Sequence, residues 1–134
     1  MRTPTKEELN RLSEAIIGAA IAVHRELGPG LLESAYEACL AFELIDRGLC
    51  VARQKELPII YRSVRVDCGY RLDLLVEEMV IVELKAIDKL QPIHEAQLMS
   101  YLKLSGCHLG LLINFNVRVL KEGLKRIVRD FPLN

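Results

Sequence analysis

The chain has 134 residues, 51% hydrophobic and 27% charged, with eight glycines and five prolines, a balance that fits one globular domain over residues 1–134 and excludes a disordered or fibrous chain. Eighteen Lys and Arg offset eighteen Asp and Glu, so no whole-molecule field holds the chain on nucleic acid or an anionic membrane, and any affinity for a polyanion must be local. The longest apolar runs, Ala15 to Val23 and Leu109 to Ile113, fall far short of the roughly 20 residues that span a bilayer, so no membrane partner is expected.

Met1-Arg2-Thr3-Pro4 leads into charged, helix-type sequence without the apolar core of a signal peptide, and a cytoplasmic location is expected. Thr5 and Glu8 have capping-box spacing, and Leu9, Leu12, Ile16, Ala19, Ala20, Val23 and Leu27 recur at helical intervals until Gly28-Pro29-Gly30, which predicts a helix over 6–27. A second helix is predicted over 31–47, with Gly48 just past its end. From Cys50 the period changes to two. Strands are predicted at 51–61, with Pro58 at an edge or bulge, at 70–76 and 79–85, and a short one at 64–67. Pro92 opens a helix over 93–104 that Gly106 ends, and Leu109 to Ile113 reads as a strand apolar on both faces. Residues 124–128 read as a last strand after the Lys121-Glu122-Gly123 turn. This order describes an α/β layered domain with a mixed sheet.

Cys39, Cys50, Cys68 and Cys107 lack C-x-x-C spacing and are expected to be free thiols, against a zinc reading through Cys68, Cys107 and His108. The carboxylates are more telling. Strand alternation puts Leu72, Leu74 and Val76 on one face and Arg71, Asp73 and Leu75 on the other, while Glu83 and Lys85 share the face opposite Val82 and Leu84. If the turn is Glu77-Glu78-Met79, Val76 pairs with Val80 and Asp73 lies across from Glu83. Two facing carboxylates raise each other's pKa unless a cation neutralises them, and carboxylate oxygens with a backbone carbonyl such as that of Leu84 suit Mg²⁺. The two acids should then lie within about 5 Å of each other, with Glu33 approaching the same point. Lys85 could orient water and offset charge on a phosphorane-like transition state. The same trio could also be a cross-strand ion-pair cluster, and Glu33 a first-turn acid facing the helix dipole. His94, Gln97 and Tyr101 form a polar stripe on the third helix that is either supporting or simply solvated.

Asp73 followed by Glu83-Leu84-Lys85 in this element order resembles the PD-(D/E)xK nuclease superfamily, and Gly30-Leu31-Leu32-Glu33-Ser34-Ala35-Tyr36 is similar to the signature of its GxxExxY branch. Tyr70 to Val76, Ile81 to Ala86, His94 to Leu98 and Leu111 to Phe115 are similar to that branch as well. The resemblance implies a restriction-endonuclease-like αβββαβ core with an extra N-terminal helix. It also implies a Mg²⁺ or Mn²⁺ site from Glu33, Asp73 and Glu83, a catalytic Lys85, and Gln97 as a supporting helix residue. Arg71-Leu72 stands where many superfamily nucleases carry Pro, although the GxxExxY branch itself reads as this sequence does. The expected activity is metal-dependent hydrolysis of nucleic acid, DNA before RNA; the alternative is a non-catalytic binding or interaction module of a larger complex.

A phosphate-binding track would draw on Arg53, Lys55 and Arg71, with Arg62 and Arg65, or on Arg118, Lys121, Lys125, Arg126 and Arg129 near the end. Leu120, Leu124, Ile127, Val128, Phe131 and Leu133 interleave with those last cations, which suggests a homodimer unless they cover the domain's own sheet.

Overall fold

Residues 3–134 are described in a computed structural model; Met1 and Arg2, on which the reading of the N-terminus partly rests, lie outside them. Thr5 caps helix α1 (Lys6–Leu27): its hydroxyl accepts the Glu8 N–H at 3.1 Å while the Glu8 carboxylate accepts the Thr5 N–H at 3.2 Å. Helix α2 spans Glu33–Asp46, two residues shorter at its start than its periodicity predicts. The reason is Tyr36, whose buried hydroxyl donates to Gly28 O at 2.6 Å and accepts from Leu31 N at 3.1 Å, tying residues 28–31 into a loop. Its ring stacks on Phe115, centroids 4.6 Å apart.

The predicted strand at 51–61 breaks at Leu57-Pro58 into β1 (Val51–Glu56) and β2 (Ile59–Tyr61), because proline cannot donate to a ladder. β2 pairs with β3 (Val64–Val66) in a separate two-stranded sheet. The main sheet adds β4 (Arg71–Val76), β5 (Val80–Lys85), β6 (Leu109–Asn114) and β7 (Leu124–Val128) in the order β1-β4-β5-β6-β7. Only β5 and β6 run parallel, joined through helix α3 (Pro92–Ser105). Every residue of β6 and all of β5 but Lys85 are buried, as expected for a parallel pair covered on both faces.

Helices α1 and α2 pack on the face carrying Leu74, Val76, Val82, Leu84, Leu111 and Ile113; α3 packs on the other through Leu98 and Leu102, over Ile81 and Leu112. Gly110 permits that approach, since a Cβ there would sit 2.8 Å from Leu98 Cδ1. Leu72 departs from simple alternation and joins the α3-side cluster; it lies beyond Leu74↔Val82, where the β4–β5 ladder stops and the strand can turn. The last segment serves the domain itself. Leu120 is buried, Leu124 and Phe131 pack on the α1/α2 side, and Ile127 packs on the α3 side. Val128 and Leu133 remain exposed. Among the described residues no helix is long and apolar enough to cross a membrane.

Candidate active site at the fork of β4 and β5

The turn between β4 and β5 is the one the spacing requires. Glu77 and Glu78 adopt φ of 53° and 56°, Met79 N donates to Val76 O, and Val76 stands opposite Val80. Continued along the strands, this register sets Asp73 against Glu83. Backbone pairing nevertheless ends at Leu74↔Val82, and the Asp73 Oδ2 atom accepts the Leu84 N–H at 2.8 Å. A side-chain carboxylate thus takes the place of a main-chain acceptor where the strands begin to separate.

Glu83 is buried at 6% exposure, and its Oε1 has no hydrogen-bond partner among the described residues. Its carboxyl group lies within hydrogen-bonding reach of Asp73, and its pKa is pushed up to about 10, first by burial and then by that hydrogen bond and the Asp73 charge. Desolvation, more than the mutual repulsion expected from the sequence, dominates the rise; the Lys85 ammonium opposes it. Glu33 opens α2 at the surface, and its pKa is raised by partial desolvation, then by Asp73 and Glu37, against a lowering by Lys85. Tyr101, buried on α3, has its hydroxyl pKa raised by burial and then by Glu83, Tyr70 and Asp73, and its ring meets Tyr70 edge-on at 6.1 Å. Asp73 is thus the common electrostatic neighbour of Glu33, Glu83 and Tyr101, and Lys85 reaches Glu33 and Glu83, so that α2, β4, β5 and α3 each contribute a group.

The expected trio of metal-binding carboxylates is not assembled as such: among the described residues no three His, Cys, Asp or Glu side chains are grouped so as to hold one ion. Asp73 and Glu83 meet, and Glu33, exposed at the start of α2, lies within electrostatic reach of Asp73. Two carboxylates with an unpartnered buried oxygen still fit Mg²⁺ or Mn²⁺, which take one or two protein carboxylates and complete their shells with water.

Other expected residues serve different ends. His94 Nδ1 accepts from Gln91 N at 2.9 Å and caps α3. Gln97 is exposed one turn before Tyr101, with no hydrogen bond to the acids among the described residues. Arg53 pairs with buried Glu37 at 3.2 Å, and Arg71 is held by Gln54 O and Glu56; of the three cations assigned to nucleic acid, Lys55 alone is without an ion pair or hydrogen bond among the described residues. The cysteines are free, and the His108 ring faces Arg129 O, so the zinc set does not form.

Three contributors escaped the sequence reading. Glu37, one turn after Glu33 and 7% exposed, accepts from Arg53 and from the Gln54 amide, and that amide also reaches Asp73 Oδ1 at 3.3 Å. Buried Asn114 donates to Ile87 O at 2.8 Å and accepts from Ile87 N at 3.1 Å, fastening the chain just after Lys85 to the end of β6. Glu37 could have been found by its i+4 relation to Glu33; Gln54 and Asn114 carry no comparable signal.

Residues 10–127 match the family model described as the PD-(D/E)XK nuclease superfamily. No curated protein and no solved structure matches the chain.

Proposed function

The chain belongs to the PD-(D/E)XK nuclease superfamily, and from that premise we propose that it is a Mg²⁺- or Mn²⁺-dependent nuclease of the GxxExxY branch, working in the cytoplasm on DNA. The observation that carries the reading is the pairing of half-buried Asp73 with buried Glu83, whose Oε1 is unpartnered among the described residues, with Lys85 two residues beyond Glu83 on β5. Asp73 and Glu83 would hold the ion together with the Leu84 carbonyl. When bound, it supplies Lewis-acid activation of the scissile phosphate and its attacking water. The Leu84 N–H and the Gln54 amide fix both oxygens of Asp73. Lys85, whose charge reaches Glu33 and Glu83, is placed to hold water or a phosphate oxygen and to offset charge as the new P–O bond forms and the ester P–O bond breaks. Tyr101, packed against Tyr70, walls the acids on the α3 side.

Despite zero net charge, a cleft lined by cations would supply the phosphate track. Arg25, Arg118 and Lys121 line a cleft of ≈490 Å³ where the last turn of α1 meets the loop after β6. That loop follows the end of β6, which Phe115 N ties to Lys85 O at 2.9 Å. Arg118 also pairs with Glu122 at 4.0 Å, and the cations nearer the tail are engaged as well, Lys125 with Glu95, Arg126 with Asn10 and Phe131, and Arg129 with Asp130.

The test is cleavage of labelled DNA and RNA, single- and double-stranded, in Mg²⁺, Mn²⁺ or EDTA by wild type and the Lys85→Ala variant. Metal-dependent cleavage of DNA that the variant loses is expected. Binding without cleavage in any metal would instead support the non-catalytic module.

A further inference from the structure

Gln54 occupies the middle of β1 with φ of +50°, a left-handed conformation that a non-glycine side chain resists. The strand gains no change of register from it. Val51↔Val76, Ala52↔Leu75 and Arg53↔Leu74 precede the distortion, Lys55↔Leu72 and Glu56↔Arg71 follow it, and both groups belong to one continuous alignment. No residue is inserted, as a β-bulge would require. What the conformation does accomplish is local: it aims one side chain.

The Gln54 Nε2 donates to Glu37 Oε1 and to Asp73 Oδ1, the latter at 3.3 Å. An ionised carboxylate can only accept, so the amide presents its nitrogen to both neighbours; the chemistry of the partners settles its orientation. Glu37 is itself anchored, since Arg53 donates to its other oxygen from Nε at 3.3 Å and Nη2 at 3.2 Å. A chain of fixed groups therefore runs from Arg53 through Glu37 and Gln54 to Asp73. The opposite oxygen of Asp73 is held by Leu84 N. The carboxylate that faces Glu83 is thus gripped from both sides, from β1 and from β5.

We propose that Gln54 is a positioning residue, kept in a strained backbone conformation so that its amide, locked by Glu37, sets the orientation of the Asp73 carboxylate and with it the affinity of the site for a divalent cation. The inference rests on the reading of Asp73 and Glu83 as the cation-binding pair. Glycine separates this role from a merely structural one, because it accepts φ of +50° without strain while removing the amide. If Gln54 only shaped the strand, Gln54→Gly would leave the site untouched.

The experiment titrates Mn²⁺ alone into wild type and the Gln54→Gly and Gln54→Asn variants by electron paramagnetic resonance, and measures hydrogen exchange of the Leu84 amide and thermal melting in EDTA. The Gln54→Gly variant should melt no lower than wild type yet bind Mn²⁺ on the order of 10-fold more weakly, as outer-shell changes do, with faster exchange at Leu84. The Gln54→Asn variant, one methylene too short to span both carboxylates, should show the same weakening. Wild-type Mn²⁺ affinity and Leu84 protection in the Gln54→Gly variant would overturn the inference and leave the site reading intact. A wild type that binds no Mn²⁺ overturns the site reading, and the inference with it.

Discussion

From Val76↔Val80 to Leu74↔Val82 the β4–β5 hairpin is a continuous antiparallel ladder whose side chains, apart from half-buried Leu75, are fully buried, whereas one step further Asp73 and Glu83 face each other and the Asp73 carboxylate accepts the Leu84 N–H. The same two strands thus hold a region built for cohesion beside one that keeps a proton-bearing acid out of water. Apolar burial stabilises the first at roughly 25 cal/mol per Å². The second costs stability, through desolvation of Glu83 and the left-handed Gln54 opposite, and such local costs gather where a site needs fixed charge.

This contrast can be broken most directly at Leu74, fully buried in the ladder half. Leu74→Ala should lower stability by about 2–5 kcal/mol in denaturant unfolding, while a variant of comparable size change in the fork, Lys85→Ala, should leave the midpoint nearly unmoved. Lys85→Ala should instead reduce metal-dependent phosphodiester cleavage on the order of 10²–10³-fold, the usual range for losing one preorganised electrostatic contact. Equal stability losses in the two variants would erase the distinction between the halves.

Glu83 sharpens it through pH. Its folded pKa of about 10 lies far above the ordinary carboxylate value of 4.5, so between those limits the folded state holds a proton that the unfolded state has released. The contribution of Glu83 is therefore fully present below about pH 4.5 and is lost as pH rises toward 10. In EDTA, Glu83→Gln should be more stable than wild type by more than about 1 kcal/mol near pH 8, the gap shrinking toward pH 5; unfolding curves at both pH values that superimpose would refute the burial of an acid there. Asp73→Asn is the less benign change, because an amide nitrogen would meet a donor, either Leu84 N–H or Gln54.

The smallest effect concerns the cleft cations. Arg118→Ala and Lys121→Ala should weaken DNA binding with a shallower dependence on salt, by about one unit of slope each, without altering Mn²⁺ affinity. Unchanged salt dependence in both variants would remove the cleft from the substrate path.

Apart from the start of α2 and the strand at 51–61, which breaks at Leu57-Pro58, periodicity and punctuation determined the elements closely: Thr5 with Glu8, Gly106 after α3 and the all-apolar β6 each act through the backbone of their own segment, so local chemistry suffices to find them. Hairpin register belongs to the same class, because a turn of set length aligns its flanking strands, and Asp73 came to face Glu83 for that reason. Packing alone decided what surrounds that pair. Glu33 sits exposed at the start of α2 with Asp73 in electrostatic reach, Arg53 and Arg71 are consumed by Glu37, Gln54 and Glu56, and His94 caps its helix. Gln54 is the sharpest case: its role depends on a positive φ that its residue type disfavours and on partners 17 and 19 positions away. Such contacts arise only when α2 is laid against β1 and β4, and no period within one segment encodes the placement of another.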